Sequence, residues 1–107
     1  ETDDGVVARI GENTFLCHTT TGGAERIHSH MEEWLQTEWW DLQVFVQNIT
    51  EQYAQIAVVG PNARKLLNKL GGTDISKEAL GFMEWTDALV GGFQTRIFRI
   101  SFSVSPI

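Results

Sequence analysis

The run from Ala54 to Gly72, AQIAVVGPNARKLLNKLGG, constrains this chain more than any other stretch, because it combines a strand pattern, a tight corner and a closed helix. Ala54, Ile56 and Val58 alternate with Gln55, Ala57 and Val59, the period of a strand with one apolar and one mixed face. Gly60 allows a turn, and Pro61 suits the first helical position, where its missing N–H has no partner to lose. Ala63, Leu66, Leu67 and Leu70 then fall on one helical stripe, and Gly71 predicts a left-handed C-cap.

The rest of the chain arranges itself around that unit. Val6 to Ile10 and Thr14 to Cys17 flank Gly11-Glu12-Asn13 as a hairpin. From Ala24 to Trp39, the residues Ile27, Met31, Trp34, Leu35 and Glu38 recur at helical spacing, predicting an amphipathic helix whose charged face carries Glu25, Arg26, Glu32 and Glu33. Leu42, Val44 and Val46 alternate with Gln43, Phe45 and Gln47 as a further strand, and Asn48 to Gln52 is its turn. Thr73 to Leu80 suits one short helical turn. Phe82–Trp85 and Ala88–Val90 are short strand candidates, and Gly91-Gly92 turns the chain into a long strand over Phe93–Ser103. With the first hairpin counted as one unit, the order is β-α-β-β-α-β. That is the ferredoxin-like α+β order, with two helices packed on one face of an antiparallel sheet.

A chain of 107 residues is one domain able to bury roughly 65% of its unfolded surface. Its net charge of −6 sets a field that repels nucleic acid and anionic membranes, so neither is an expected partner. No apolar run approaches the roughly 20 residues that span a bilayer, and the acidic start has no signal-peptide form. A single cysteine, Cys17, forms no intramolecular disulfide and points to a reducing compartment, the cytoplasm. Cys17 reads as a small strand hydrophobe, since its neighbour His18 points to the opposite face.

Several residues invite chemistry. The Gly60-Pro61 corner precedes a helix N-terminus but has no phosphate-loop glycine pattern, and reads as a structural corner. His28, His30, Glu32 and Glu33 suggest a metal, yet residues two apart on a helix diverge by about 200°, leaving only His28 and Glu32 well spaced. Two ligands do not make a site, so no metal is expected. No serine or cysteine has a nucleophile-elbow context. Trp39-Trp40, with Trp34 one turn earlier, suits core packing or a partner surface, and Trp40 is the better candidate for an exposed contact. Asp3 and Asp4 precede a strand pattern and, by spacing alone, are terminal charges.

QIAVVGPNARKLL, the opening DDGVVARIGENTFLCHTTTGGAERIHSHMEEWL and the closing GGFQTRIFRISFS together resemble the aminomethyltransferase family, the glycine-cleavage T-protein and its relatives. Within it the wording, above all HTTTGGAERIHSHMEEWLQTEW and FRISFS, is most similar to the folate-binding region of the alpha subunits of heterotetrameric sarcosine oxidases. The resemblance implies one-carbon transfer to tetrahydrofolate as the cofactor, with the amine oxidised at a flavin in another subunit. It implies other modules and subunits of such an oxidase as partners.

Family members carry an aspartate in a D-D-x-x-V setting beside the reactive part of folate. Asp4 falls at that position as the implied catalytic residue, with Asp3 as its neighbour at the folate. A carboxylate there can hold a cationic amine or iminium and relay a proton. The family continues past its last strand into a T/S-G-E segment, whereas Val104 and Ser105 stand at the Gly and Glu positions here. Residues 1–103 are therefore expected to be a partial folate-binding domain, 104–107 a foreign-looking tail, and the chain on its own inactive. The alternative is a non-enzymatic, ferredoxin-like module whose sheet face or Trp39-Trp40 edge binds other proteins or a second copy of itself.

Overall fold

The computed structural model describes residues 5–101. Asp3 and Asp4, and residues 102–107 with the expected tail, lie outside the described residues. The fold is α+β, and the described residues form two α-helices and two antiparallel sheets of two strands, consistent with a ferredoxin-like arrangement. The chain divides into two units, Glu1–Gln55 and Ile56–Ile107.

In the first unit, β1 (Val6–Arg9) and β2 (Phe15–His18) pair from Val6↔His18 to Arg9↔Phe15. Alternation decides the faces: Ala8 is buried while its neighbours Val7 and Arg9 are exposed. The hairpin turn closes with Ile10 and Gly11 N–H groups donating to Thr14 C=O, and Arg9 Nη2 donates to Glu12 C=O at 2.6 Å. A 3₁₀ turn, Thr21–Gly23, leads into α1 (Ala24–Thr37), and Thr20 Oγ1 accepts from Gly23 N–H at 3.1 Å. That threonine satisfies one of the donors that a helix start leaves open. The predicted stripe of α1 is present, but no residue of the helix is fully buried. The helix ends two residues earlier than its sequence pattern, where Trp39 N–H bonds back to Trp34 C=O at 2.8 Å and the two indoles lie 5.3 Å apart.

In the second unit, α2 spans Ala63–Lys69, and Gly71 with φ 76° closes it in the left-handed region as expected. Pro61 is not the first helical residue. Gly60 C=O accepts from Ala63 N–H, so Pro61 and Asn62 form a turn ahead of the helix. β3 (Glu84–Val90) and β4 (Phe93–Arg99) form a hairpin through Gly91-Gly92, both at positive φ. The two short candidates over 82–90 are thus one strand that begins at Glu84, and the last strand ends at Arg99 instead of Ser103. Thr73–Leu80 contributes a single turn, with Leu80 N–H donating to Ser76 C=O at 2.8 Å. Ile75, Leu80 and Ala88 are the buried apolar residues among those described in this unit.

Two expected strands are absent. Residues 42–47 and 54–59 keep their alternating pattern but pair with nothing among the described residues. Phe45 is 87% exposed and Ile56 84%. A strand exists only through a ladder partner, and alternation decides a face without supplying that partner.

Candidate functional site

Asp3 and Asp4 lie outside the described residues, and the residue that follows them in sequence, Gly5, is where the description of the opening hairpin begins. Gly5 runs against the far end of β2, where a Cβ would overlap the His18 carbonyl oxygen. Only glycine permits that approach, which gives the D-D-G order a physical reason. His18, opposite Val6 in the register, is half-buried, and burial lowers its pKa below the usual histidine value of 6.5. Burial therefore favours its neutral imidazole form over the imidazolium. Spacing alone singled out His18 only as the neighbour of Cys17. The signal that finds it is the glycine that faces it across the hairpin. Cys17 is exposed and sits opposite Val7, and the two neighbours do lie on different faces of β2.

The histidines of α1 do not converge. His28 lies between Glu25 and Glu32, with Nδ1 3.9 Å from Glu25 Oε1 and Nε2 3.9 Å from Glu32 Oε1. His30 instead accepts from Trp34 Nε1–H at 3.1 Å. Among the described residues no group of three or more His, Cys, Asp or Glu side chains is placed to hold a metal ion. Glu32 belongs less to the solvated face than its sequence position implies. It is half-buried, accepts from Gln36 Nε2 at 3.2 Å, and with His28 forms the polar wall of a groove of about 380 Å³. Leu35, Trp40, Leu42 and Phe45 contribute apolar lining to the same groove. Trp40, expected at a contact surface, is 76% exposed.

At the Gly60-Pro61 corner, Gly60 has φ 123° and a Cβ there would meet open space, so the glycine serves the turn and no close approach. No described helix is long and apolar enough to cross a membrane.

Comparison with known proteins matches residues 2–105 to the GCVT N-terminal domain. The chain is 52% identical over 103 residues to sarcosine oxidase subunit alpha of Corynebacterium sp. (strain P-1), covering 94% of this chain and 11% of that protein. It is 42% identical to sarcosine oxidase subunit alpha of Rhizobium meliloti (strain 1021), covering 94% of this chain and 10% of that protein. It is 32% identical to an aminomethyltransferase of Listeria monocytogenes serotype 4a (strain HCC23), covering 94% of this chain and 26% of that protein. The chain thus spans about a tenth of the sarcosine oxidase subunits and a quarter of the aminomethyltransferase. No solved structure matches it. With nearly every residue inside the match, this chain belongs to the GCVT N-terminal domain family.

Proposed function

We propose that the chain forms part of the folate-binding region of a sarcosine oxidase alpha subunit, where a one-carbon unit released from the oxidised amine passes to tetrahydrofolate. The single observation that carries this reading is the gradient of identity: 52% to a sarcosine oxidase alpha subunit against 32% to an aminomethyltransferase, over nearly the same residues. Asp4 is the residue assigned to the chemistry, with Asp3 beside it at the folate. Its carboxylate would hold the cationic amine or iminium and accept or return a proton.

The described residues do not themselves enclose a pterin. The cleft at the hairpin turn is formed by Arg9, Ile10, Gly11 and Glu12 alone, and the groove beside α1 is walled largely by exposed side chains. The folate assignment therefore rests on the resemblance at Asp3 and Asp4. The partners proposed on the same ground are the other modules and subunits of the oxidase. The chain alone is proposed to be inactive, because a pocket built between modules is incomplete in one of them.

A chimera tests this. Residues 2–105 replace their equivalent in the corynebacterial alpha subunit, and formation of methylene-tetrahydrofolate is measured in the assembled oxidase. The chimera is expected to form it, and Asp4→Ala to reduce it by a factor of about 10² or more. An Asp4→Ala chimera with unchanged methylene-tetrahydrofolate formation would overturn the assignment.

A further inference from the structure

We propose that His30 is a proton-sensing residue: when its imidazole takes up a proton it releases the Trp34 indole and loosens the turn over 39–42, which carries part of the wall of the groove beside α1. This stands independently of the one-carbon reading.

The sensing contact is a single acceptor. His30 Nε2 accepts from Trp34 Nε1–H at 3.1 Å, one turn along α1, with the rings edge to face at 6.1 Å and 72°. An indole N–H only donates, and an imidazole nitrogen accepts only while it carries no proton. The imidazolium has two N–H groups and no acceptor, so in acid His30 and Trp34 present donor to donor and the bond is lost. Histidine is the side chain whose charge changes between about pH 5 and 8, which makes this bond one that moderate acid can break.

Trp34 is also where α1 is closed. Its C=O accepts from Glu38 N–H at 2.9 Å and from Trp39 N–H at 2.8 Å, and its indole packs on that of Trp39 with centroids 5.3 Å apart and planes 30° apart. Trp39 C=O in turn accepts from Leu42 N–H at 3.0 Å. That bond closes the turn that delivers Trp40 and Leu42 to the groove. The last turn of α1 has no basic side chain to hold its carbonyls, and Glu38 stands at its C-cap, so the closure leans on the Trp34–Trp39 contact. His30, Trp34, Trp39 and the turn form one continuous line of contacts.

The neighbouring ionisable groups are occupied differently. His28, on the same helix, is turned to Glu25 and Glu32, 3.9 Å from each. Arg26 and Glu33 stand one turn to either side of His30 in the helix. No salt bridge among the described residues includes His30, so the indole bond is the contact that its protonation changes.

Nitrogen–proton correlation NMR of the chain from about pH 8 to about pH 5 tests the proposal, with the Trp34 indole resonance assigned by Trp34→Phe. That resonance is expected to move with the same midpoint as the His30 ring protons. The exchange protection of Trp39 N–H, corrected for the intrinsic rate at each pH, is expected to fall by roughly 2–10-fold, the worth of one hydrogen bond. His30→Gln, whose amide oxygen still accepts, is expected to flatten both changes. His30→Lys, which accepts at no pH, is expected to show the freed indole and the lowered Trp39 protection already at about pH 8. Both substitutes are good helix formers, so α1 is kept in each variant. A Trp34 indole that ignores the titration of the His30 ring overturns the proposal. The same pH dependence in His30→Gln would assign the effect to His28 or Glu33 and overturn it too. An indole that follows His30 while Trp39 protection stays constant would refute the coupling to the turn.

Discussion

The guanidinium of Arg96 lies 5.3 Å from the centroid of the Trp85 ring, one cross-strand step from its own partner Asp87 in the β3–β4 register. Arg96 Nε donates to Asp87 Oδ1 at 3.0 Å, and Trp85 pairs across the hairpin with Phe98 at a ring separation of 6.4 Å. Four side chains thus tie one face of a hairpin that has few buried residues.

Arg96→Ala is expected to destabilise the chain by about 1 kcal/mol, most of it from the contact with Trp85. The ion pair adds little, because Asp87 is 68% exposed and screened by solvent. Arg96→Lys keeps the charge but loses the planar stacking, so it is expected to recover less than half of the loss. Urea denaturation at low and high salt separates the two contributions. A wild-type advantage that vanished at high salt would assign the effect to Asp87 instead.

The elements that were legible in the sequence are those whose cause is local. The α1 helix follows from the spacing of Ile27, Met31, Trp34 and Leu35, the β3–β4 turn from Gly91-Gly92, and the end of α2 from Gly71. The missing strands over 42–47 and 54–59 show the limit, since their alternation is real but a ladder partner is a distant stretch of chain that periodicity does not name. At the candidate site, Asp3 and Asp4 are visible only through family resemblance. The pKa of His18 is lowered by burial, which spacing does not report.

Gly72 has φ 124°, and a Cβ there would overlap the Leu89 carbonyl oxygen. The approach lets Thr73 N–H donate to Leu89 C=O at 3.0 Å, while Leu89 N–H donates to Thr73 Oγ1 at 2.9 Å. Gly72→Ala is expected to cost roughly 2–4 kcal/mol, the backbone penalty plus the overlap. Gly92, at φ 85° with open space around it, pays the backbone penalty alone, so Gly92→Ala is expected to cost about 1 kcal/mol. Equal midpoints for the two variants in urea would remove the role assigned to the Leu89 contact.

His18 predicts the direction of a pH dependence. Its pKa in the folded chain lies below the unfolded value of 6.5 because burial disfavours the imidazolium. Between the two values the unfolded chain binds more protons, so stability rises with pH across that window. The full contribution is present above 6.5 and is lost as pH falls through the lower, folded value. His18→Gln is expected to flatten the dependence on the acid side of 6.5, measured as the difference in urea midpoint between the two chains at each pH. Parallel curves for variant and wild type would contradict it.

Met83 is the described non-glycine residue with positive φ, at 61°, in a turn where Glu84 N–H donates to Gly81 C=O at 3.2 Å. The turn is held at both ends: Gly81 N–H donates to Glu84 Oε1 at 2.6 Å, and Met83 N–H donates to Arg99 C=O at 2.6 Å. Those bonds hold a side-chain-bearing residue in a region that favours glycine. The methionine side chain is 52% exposed and contributes little burial in return. Met83→Gly is therefore expected to leave the hairpin intact and raise stability by about 0.5–1 kcal/mol, the relief of left-handed strain less the added freedom of the unfolded chain. Met83→Val, with a branched Cβ at the same φ, is expected to lower stability by a comparable amount. Thermal unfolding of the three chains orders them as Gly above Met above Val, and the reverse order would mean that Met83 contributes packing that outweighs its backbone strain.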